Sequence, residues 1–222
     1  MVEAIPTRGR FVTFEGGEGV GKSTQVRCLA RILKERGITV VTTREPGGSD
    51  GGEQIRQLLV TGEPDRWDAI SETLLLLAAR RDHWIRLIDP ALREGAWVIS
   101  DRFLDSTLVY QGTGRGIGRP VLDQLHRVIL GKVVPDLTIV LDMPVYDGLT
   151  RTRERDHGSY SNENRFERMD IDFHERLRTG FRELAAHEPK RIKTIDAMND
   201  VETVARDVVS IVYAQFQKEL SS

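Results

Sequence analysis

Short apolar runs recur along the chain, separated by longer stretches in which apolar residues return every three or four positions. Runs rich in Val, Ile, Leu, Phe and Thr predict strands at Arg10–Gly16, Thr39–Thr43, Ala96–Asp101, Leu137–Asp142 and Arg191–Asp196. Helical periodicity predicts helices near 22–36, 50–60, 68–94, 119–131, 144–155, 165–187 and 200–218. Strands alternating with helices predict an α/β fold, a mainly parallel sheet covered by helices. Function in such sheets gathers at the carboxyl ends of the strands. The residues expected there are Glu15–Gly16, Arg44–Glu45, Asp101–Arg102 and Asp142.

Composition narrows the class. At 222 residues the chain fits a single domain over 1–222, since domains commonly run to about 100–200 residues. A net charge of -2 supplies no broad field for nucleic acid or a membrane surface, so any attraction for anions must be local. The lone Cys28 excludes an internal disulfide and is expected to be an inert core residue of an apolar helix. Residues 1–10 hold no apolar stretch of signal-peptide length, and the run Leu74–Ala79 falls well short of the roughly 20 residues that span a bilayer. With no repeat or low-complexity linker, the expectation is a cytoplasmic enzyme or switch.

The strongest chemical signal is Gly16-Gly17-Glu18-Gly19-Val20-Gly21-Lys22-Ser23, followed by Thr24. It matches the phosphate-loop pattern G-x-x-x-x-G-K-[ST] and lies between a β-run and an amphipathic helix carrying Val26, Leu29, Ile32 and Leu33. Glycines let successive backbone N–H groups converge on phosphate oxygens. Lys22 is expected to neutralise the β/γ phosphates and Ser23 to ligate magnesium. A dinucleotide fingerprint fails, because Lys22 stands where its third glycine is needed. No N-K-x-D guanine-binding segment occurs, which argues against a GTPase switch, and no partner-coupling element marks a motor. A kinase acting on a small acceptor needs a second anion site and mobile cations. Arg44, Arg102 and the crowded Arg151, Arg153 and Arg155 are candidates.

At these residues the chain resembles the thymidylate kinase family over nearly its whole length. The phosphate loop, Thr43-Arg44-Glu45-Pro46-Gly47-Gly48, Ala78-Ala79-Arg80 and the D-R-F-x-x-S-T-x-x-Y-Q-G stretch at 101–112 fall in family order. So do the stretch from Lys132 to Asp142 and the closing Thr194-Ile195-Asp196-Ala197. The resemblance implies a P-loop nucleoside monophosphate kinase fold with a five-stranded parallel sheet and a mobile lid at about 148–165. It also implies ATP as phosphoryl donor, dTMP as acceptor, Mg²⁺ as cofactor, a homodimer, and neither nucleic-acid nor membrane partners.

Carried over residue by residue, the resemblance gives ATP-binding roles to Gly16 through Thr24 and metal roles to Ser23 and Asp101. Glu18 resembles the carboxylate that accepts from the acceptor's 3′-hydroxyl, although a solvated loop acid fits equally. Arg44 and Arg102 resemble the pair gripping the acceptor phosphate, where a guanidinium fork suits two oxygens at once. Asp101 either orients magnesium through water or caps its strand and pairs with an arginine. Arg80 resembles the donor to the base carbonyl and Thr107 the reader of the ring N–H, with Ser106 and Gln111 shaping that pocket. Tyr110 is either a barrier to a ribose 2′-hydroxyl or an ordinary core tyrosine.

Two departures from the family stand out. Leu76 occupies the position where the family usually stacks a phenylalanine on thymine, losing an aromatic attraction of about 0.5–1.5 kcal/mol. This leaves open another deoxynucleoside monophosphate as acceptor; a nucleotide-binding regulator that keeps the phosphate loop but turns over poorly is a separate alternative. Asp82 stands where relatives often carry glutamine. Gly19 leaves the phosphate loop without the arginine some members carry there, so the chain resembles the bacterial subclass whose lid supplies the cation. Arg151 and Arg155, four apart, are expected to share a helical face and act in catalysis with Lys22 and Arg102. Arg153 is expected to point away, and Arg165 to begin the returning helix and assist.

Overall fold

The computed structural model describes residues 8–156 and 164–220, apart from the side chains at 155, 156, 218 and 219. Among these residues five strands form one sheet: β1 (Phe11–Glu15), β2 (Val40–Arg44), β3 (Trp97–Asp101), β4 (Leu137–Asp142) and β5 (Ile192–Asp196). Their order is β2-β3-β1-β4-β5, and every neighbouring pair runs parallel. β1 therefore lies between β3 and β4, the point at which the winding reverses and a crevice opens beyond the strand ends.

Both faces of the sheet are covered, which is why its strands read as almost continuous apolar runs. Successive β1 residues alternate between the two cores. Val12 and Phe14 join Ile99, Ile139 and Leu141 beneath α1 (Lys22–Glu35) and α9 (Val201–Gln215). Phe11 faces the opposite way, with its ring edge-on to Phe103 at 4.8 Å, in a core shared with Leu122, Phe173 and Phe181. Cys28 is only half-buried on the flank of α1, not the core residue expected from its neighbours.

Helix boundaries follow their caps. Ser49 starts α2 (Asp50–Val60) by accepting from Gly52 N–H, and Asp68 starts α3 (Ala69–His83) by accepting from Ile70 and Ser71. The helix expected over 68–94 is not uniform. After α3 it loosens into a π turn at Trp84–Ile88 and then continues as α4 (Asp89–Arg93). Pro90 has no N–H for the carbonyl four residues back, and the bond from Asp89 N–H to Trp84 O spans five residues instead.

The helix expected from residue 165 begins at α8 (Ile171–His187), where Asp170 caps Phe173 N–H. Residues 102–114, for which periodicity predicts no helix, fold as α5 (Leu104–Thr107) running into a π turn over Leu108–Gly114. The remaining helices are α6 (Arg119–Leu130), α7 (Val145–Asp156) and the short α10 (Gln217–Leu220). Among the described residues no helix is long and apolar enough to cross a membrane.

Candidate active site

A cleft of about 750 Å³ opens at the carboxyl ends of β1, β2 and β3. Its floor is the loop between β1 and α1. Gly16, Gly19 and Gly21 take φ of 130°, 70° and 92°, values that side chains resist. Gly19 is pressed against α7: a Cβ added there would lie 1.9 Å from the Gly148 carbonyl oxygen. The position where some family members carry an arginine has no room for any side chain while α7 sits as it does. Gly19, Gly21, Lys22, Ser23 and Thr24 line the cleft, while Gly16, Gly17 and Val20 back the loop toward β4.

Lys22 Nζ lies across its own loop, donating to the carbonyl oxygens of Gly17 at 2.5 Å and Gly16 at 3.3 Å. Burial, and then the Arg102 charge, bring its pKa down to about 8. Ser23 Oγ donates to Asp101 Oδ2 at 2.5 Å, so a hydroxyl and a carboxylate meet at the mouth of the phosphate loop.

Arg102 sits just past β3 with φ 72°, a conformation that costs a non-glycine residue about 1–3 kcal/mol and that its contacts must hold. It donates to Gly16 O at 2.9 Å, Ser106 Oγ at 3.1 Å and Glu18 Oε1 at 2.9 Å. Its guanidinium also lies over the Tyr110 ring, 4.8 Å from the centroid. Tyr110 donates its hydroxyl to the same Glu18 oxygen at 2.6 Å. Burial works to raise the Glu18 pKa, but Arg102, Lys22 and the Tyr110 hydroxyl outweigh it and bring the carboxyl down to about 2. Arg44, which ends β2, is exposed and paired with Glu53 at 3.1 Å, yet it still lines the cleft.

The far end of the cleft is built from buried polar groups. Arg80 Nε donates to Glu45 Oε2 at 2.7 Å and its Nη2 to Phe103 O at 2.9 Å. Glu45 is held in turn by His83 at 3.0 Å, and His83 by Thr43 at 2.7 Å. Burial alone would raise the Glu45 pKa; Arg80 and His83 reverse that and hold it below the usual carboxylate range. Among the described residues seven buried side-chain atoms lack a hydrogen-bond partner. Three of them belong to residues lining this cleft: Arg80 Nη1, Thr107 Oγ1 and Gln111 Oε1. Leu76 and Ser106 line it too.

The described part of the segment expected to form a lid differs from expectation in one respect. Arg165 does not start a helix; its guanidinium is fully buried, donating to Leu59 O, Glu63 O, Pro64 O and Glu72 Oε2 at 2.6–3.1 Å. With every nitrogen committed, it anchors the returning chain to the α2–α3 connection. Arg151 lines the cleft and reaches Ala197 O at 3.3 Å, while Arg153 is exposed and Arg155's side chain lies outside the described residues. Sequence reasoning missed Phe166, which lines the cleft edge-on to Tyr110 at 5.7 Å, and Arg56, which lines it from α2. The signal for Phe166 was a single aromatic next to an arginine in a polar stretch.

A parallel sheet wound on both sides of β1, a phosphate loop at its switch point and a cationic second half of the same cleft define a P-loop kinase. The family model described as Thymidylate kinase matches residues 14–208. The chain is 52% identical over 202 residues to the thymidylate kinase of Dinoroseobacter shibae, covering 91% of this chain and 95% of that protein. It is 50% identical over 201 residues to that of Rhizorhabdus wittichii, covering 90% and 95%. A crystal structure of thymidylate kinase from Ehrlichia chaffeensis superposes with a TM-score of 0.73 at 35% identity, covering 92% of this chain and 99% of that one. The chain belongs to the thymidylate kinase family.

Proposed function

We propose that this protein transfers the γ-phosphoryl group of ATP to dTMP, giving dTDP and ADP and so supplying dTTP for DNA replication. The observation that carries the choice of acceptor is the trio of buried, unpartnered atoms on residues that line the far end of the cleft. Arg80 Nη1 offers a donor, Gln111 Oε1 an acceptor and Thr107 Oγ1 either role. Thymine presents carbonyl oxygens flanking one ring N–H, the complementary set; we assign that N–H to Gln111 Oε1 in place of Thr107, whose hydroxyl then donates to a carbonyl oxygen. A buried polar group left unpaired costs about 1–3 kcal/mol, so a base that satisfies all three is favoured over one that does not.

In the transfer, an oxygen of the acceptor phosphate attacks the γ-phosphorus in line, and the bond from that phosphorus to the β-bridging oxygen breaks. ADP leaves with the electron pair. The attacking oxygen is already anionic, so the protein's work is alignment and charge neutralisation. We assign Lys22 and the loop N–H groups to the donor phosphates, and Arg44 and Arg102 to the acceptor phosphate. Arg155 and Arg151 meet charge building on the transferring group. Glu18, already an acceptor for Arg102 and Tyr110, is assigned to the 3′-hydroxyl, and Tyr110 to the exclusion of a 2′-hydroxyl.

Ser23 and Asp101 fit a magnesium ion, which favours oxygen donors and keeps much of its shell as water and phosphate. When bound, it would neutralise charge on the donor phosphates. The resemblance also supports a homodimer working in the cytoplasm. ADP release measured with dTMP, dCMP, dAMP and dGMP tests the reading. dTMP should be used best, and equal use of dCMP would refute the choice of base.

A further inference from the structure

Gln111 reads a base only if its amide faces the right way, because the two ends of that amide are opposites. The group that decides this lies behind it. Glu72, on α3, is fully buried and accepts from Gln111 Nε2 at 3.0 Å. The same carboxylate is gripped by Arg165 at 2.6 Å and Arg115 at 2.9 Å. A carboxylate held between two guanidinium groups presents only acceptors, so Gln111 must turn its NH₂ end toward Glu72. Its carbonyl oxygen is then the end left over, unpartnered, on a residue that lines the cleft.

We infer that Glu72 is a positioning residue for base recognition: it locks the Gln111 amide carbonyl-outward, so the site accepts a ring N–H and rejects a ring nitrogen lone pair. The inference rests on the proposed use of dTMP and deepens it. Thymine carries a hydrogen on N3, whereas cytosine carries a lone pair there, so a locked acceptor discriminates between them. A freely turning amide would not, since its NH₂ end serves cytosine as well as its oxygen serves thymine. Glu72 also fixes the segment returning from the lid, because Arg165 precedes Phe166, and Phe166 lines the same cleft against Tyr110. One carboxylate thus joins the base-reading amide to the lid's return.

The test is the ratio of kcat/KM for dTMP to that for dCMP. Glu72→Gln keeps the shape but presents a donor as well as an acceptor, so Gln111 is no longer held one way. The ratio should fall by about tenfold, with Arg80 still rejecting the cytosine amino group. Because Glu72→Gln leaves two guanidinium groups without their counter-charge, Glu72→Gln with Arg165→Met, which removes the fully buried one of the two, is the second variant should the single one fail to fold. Arg165→Met alone leaves Glu72 on Gln111 and should keep the ratio within about twofold, whatever it does to overall rate. A purely structural role would lower both substrates together. An unchanged ratio in the Glu72 variants, or an equal fall in Arg165→Met alone, would overturn the inference and leave the proposed function standing. An unmodified protein with no preference for dTMP over dCMP would overturn both.

Discussion

Glu15 closes β1 immediately before the phosphate loop, and its charge has a measurable consequence for stability. The side chain is fully buried, accepting from Phe103 N–H at 2.8 Å and Ser106 Oγ at 2.5 Å. Burial first, and then the Asp105 charge, push its pKa from 4.5 up to about 7. The folded state therefore holds this proton more tightly than the unfolded chain does. Stability from that proton is fully present below about pH 4.5 and is lost as the pH rises through about 7. A shift of roughly 2.5 units corresponds to about 3 kcal/mol in all. Glu15→Gln keeps an acceptor for Phe103 N–H and an amide for the Ser106 hydroxyl, but cannot ionise. Relative to the unmodified protein it should gain about 2–3 kcal/mol on going from about pH 5 to about pH 8. Urea unfolding of both proteins at the two pH values measures this, provided the m-values agree. An identical difference in stability at both pH values would show that Glu15 does not titrate in this range and that its burial is compensated otherwise.

Other outcomes concern the chemistry. Lys22→Ala should nearly abolish transfer in a folded protein, because among the described residues Lys22 bonds only to loop carbonyls and contributes charge rather than packing. Circular dichroism alongside turnover separates loss of fold from loss of chemistry. Arg155→Ala should lower kcat by at least about tenfold, a cautious part of the 10³–10⁵ attributed to arginine fingers, with KM for dTMP little changed. Arg153→Ala should be mild in the same assay, and a larger effect there would transfer the role to Arg153. Tyr110→Ala should narrow the preference for dUMP over UMP, and equal use of the two by the unmodified protein would remove the 2′-hydroxyl role.

The parts legible in the sequence share one property, a local signature. Val12 and Phe14 read as strand, Val26, Leu29 and Leu33 as a helical face, and Gly16 to Ser23 as a phosphate cradle, because each pattern is complete within a few residues. The stretch from Leu104 to Gly114 was opaque for the opposite reason. Its Thr, Val and Gly content favours no helix, and tertiary burial of Leu104, Leu108, Val109 and Tyr110 imposes one. The break after His83 was foreshadowed by Pro90 but obscured by uninterrupted apolar spacing.

Arg165 misled most. An arginine in a polar stretch reads as a free cation, yet its partners lie about a hundred positions away and share a carboxylate with Arg115 and Gln111. Motif residues such as Arg80 and Gln111 were legible, but the groups that orient them, Glu45 and Glu72, became visible only once the chain was folded.

The central claim is transfer of a phosphoryl group from ATP to dTMP in this cleft, and isotopic label follows it directly. ATP carrying labelled γ-phosphate, incubated with the protein, magnesium and dTMP, should place the label in the terminal phosphate of dTDP. Lys22→Ala should transfer almost none, and no label should pass when dTMP is omitted. Label appearing as free phosphate at the same rate with and without dTMP would contradict the account, because the protein would then be an ATPase and not a kinase.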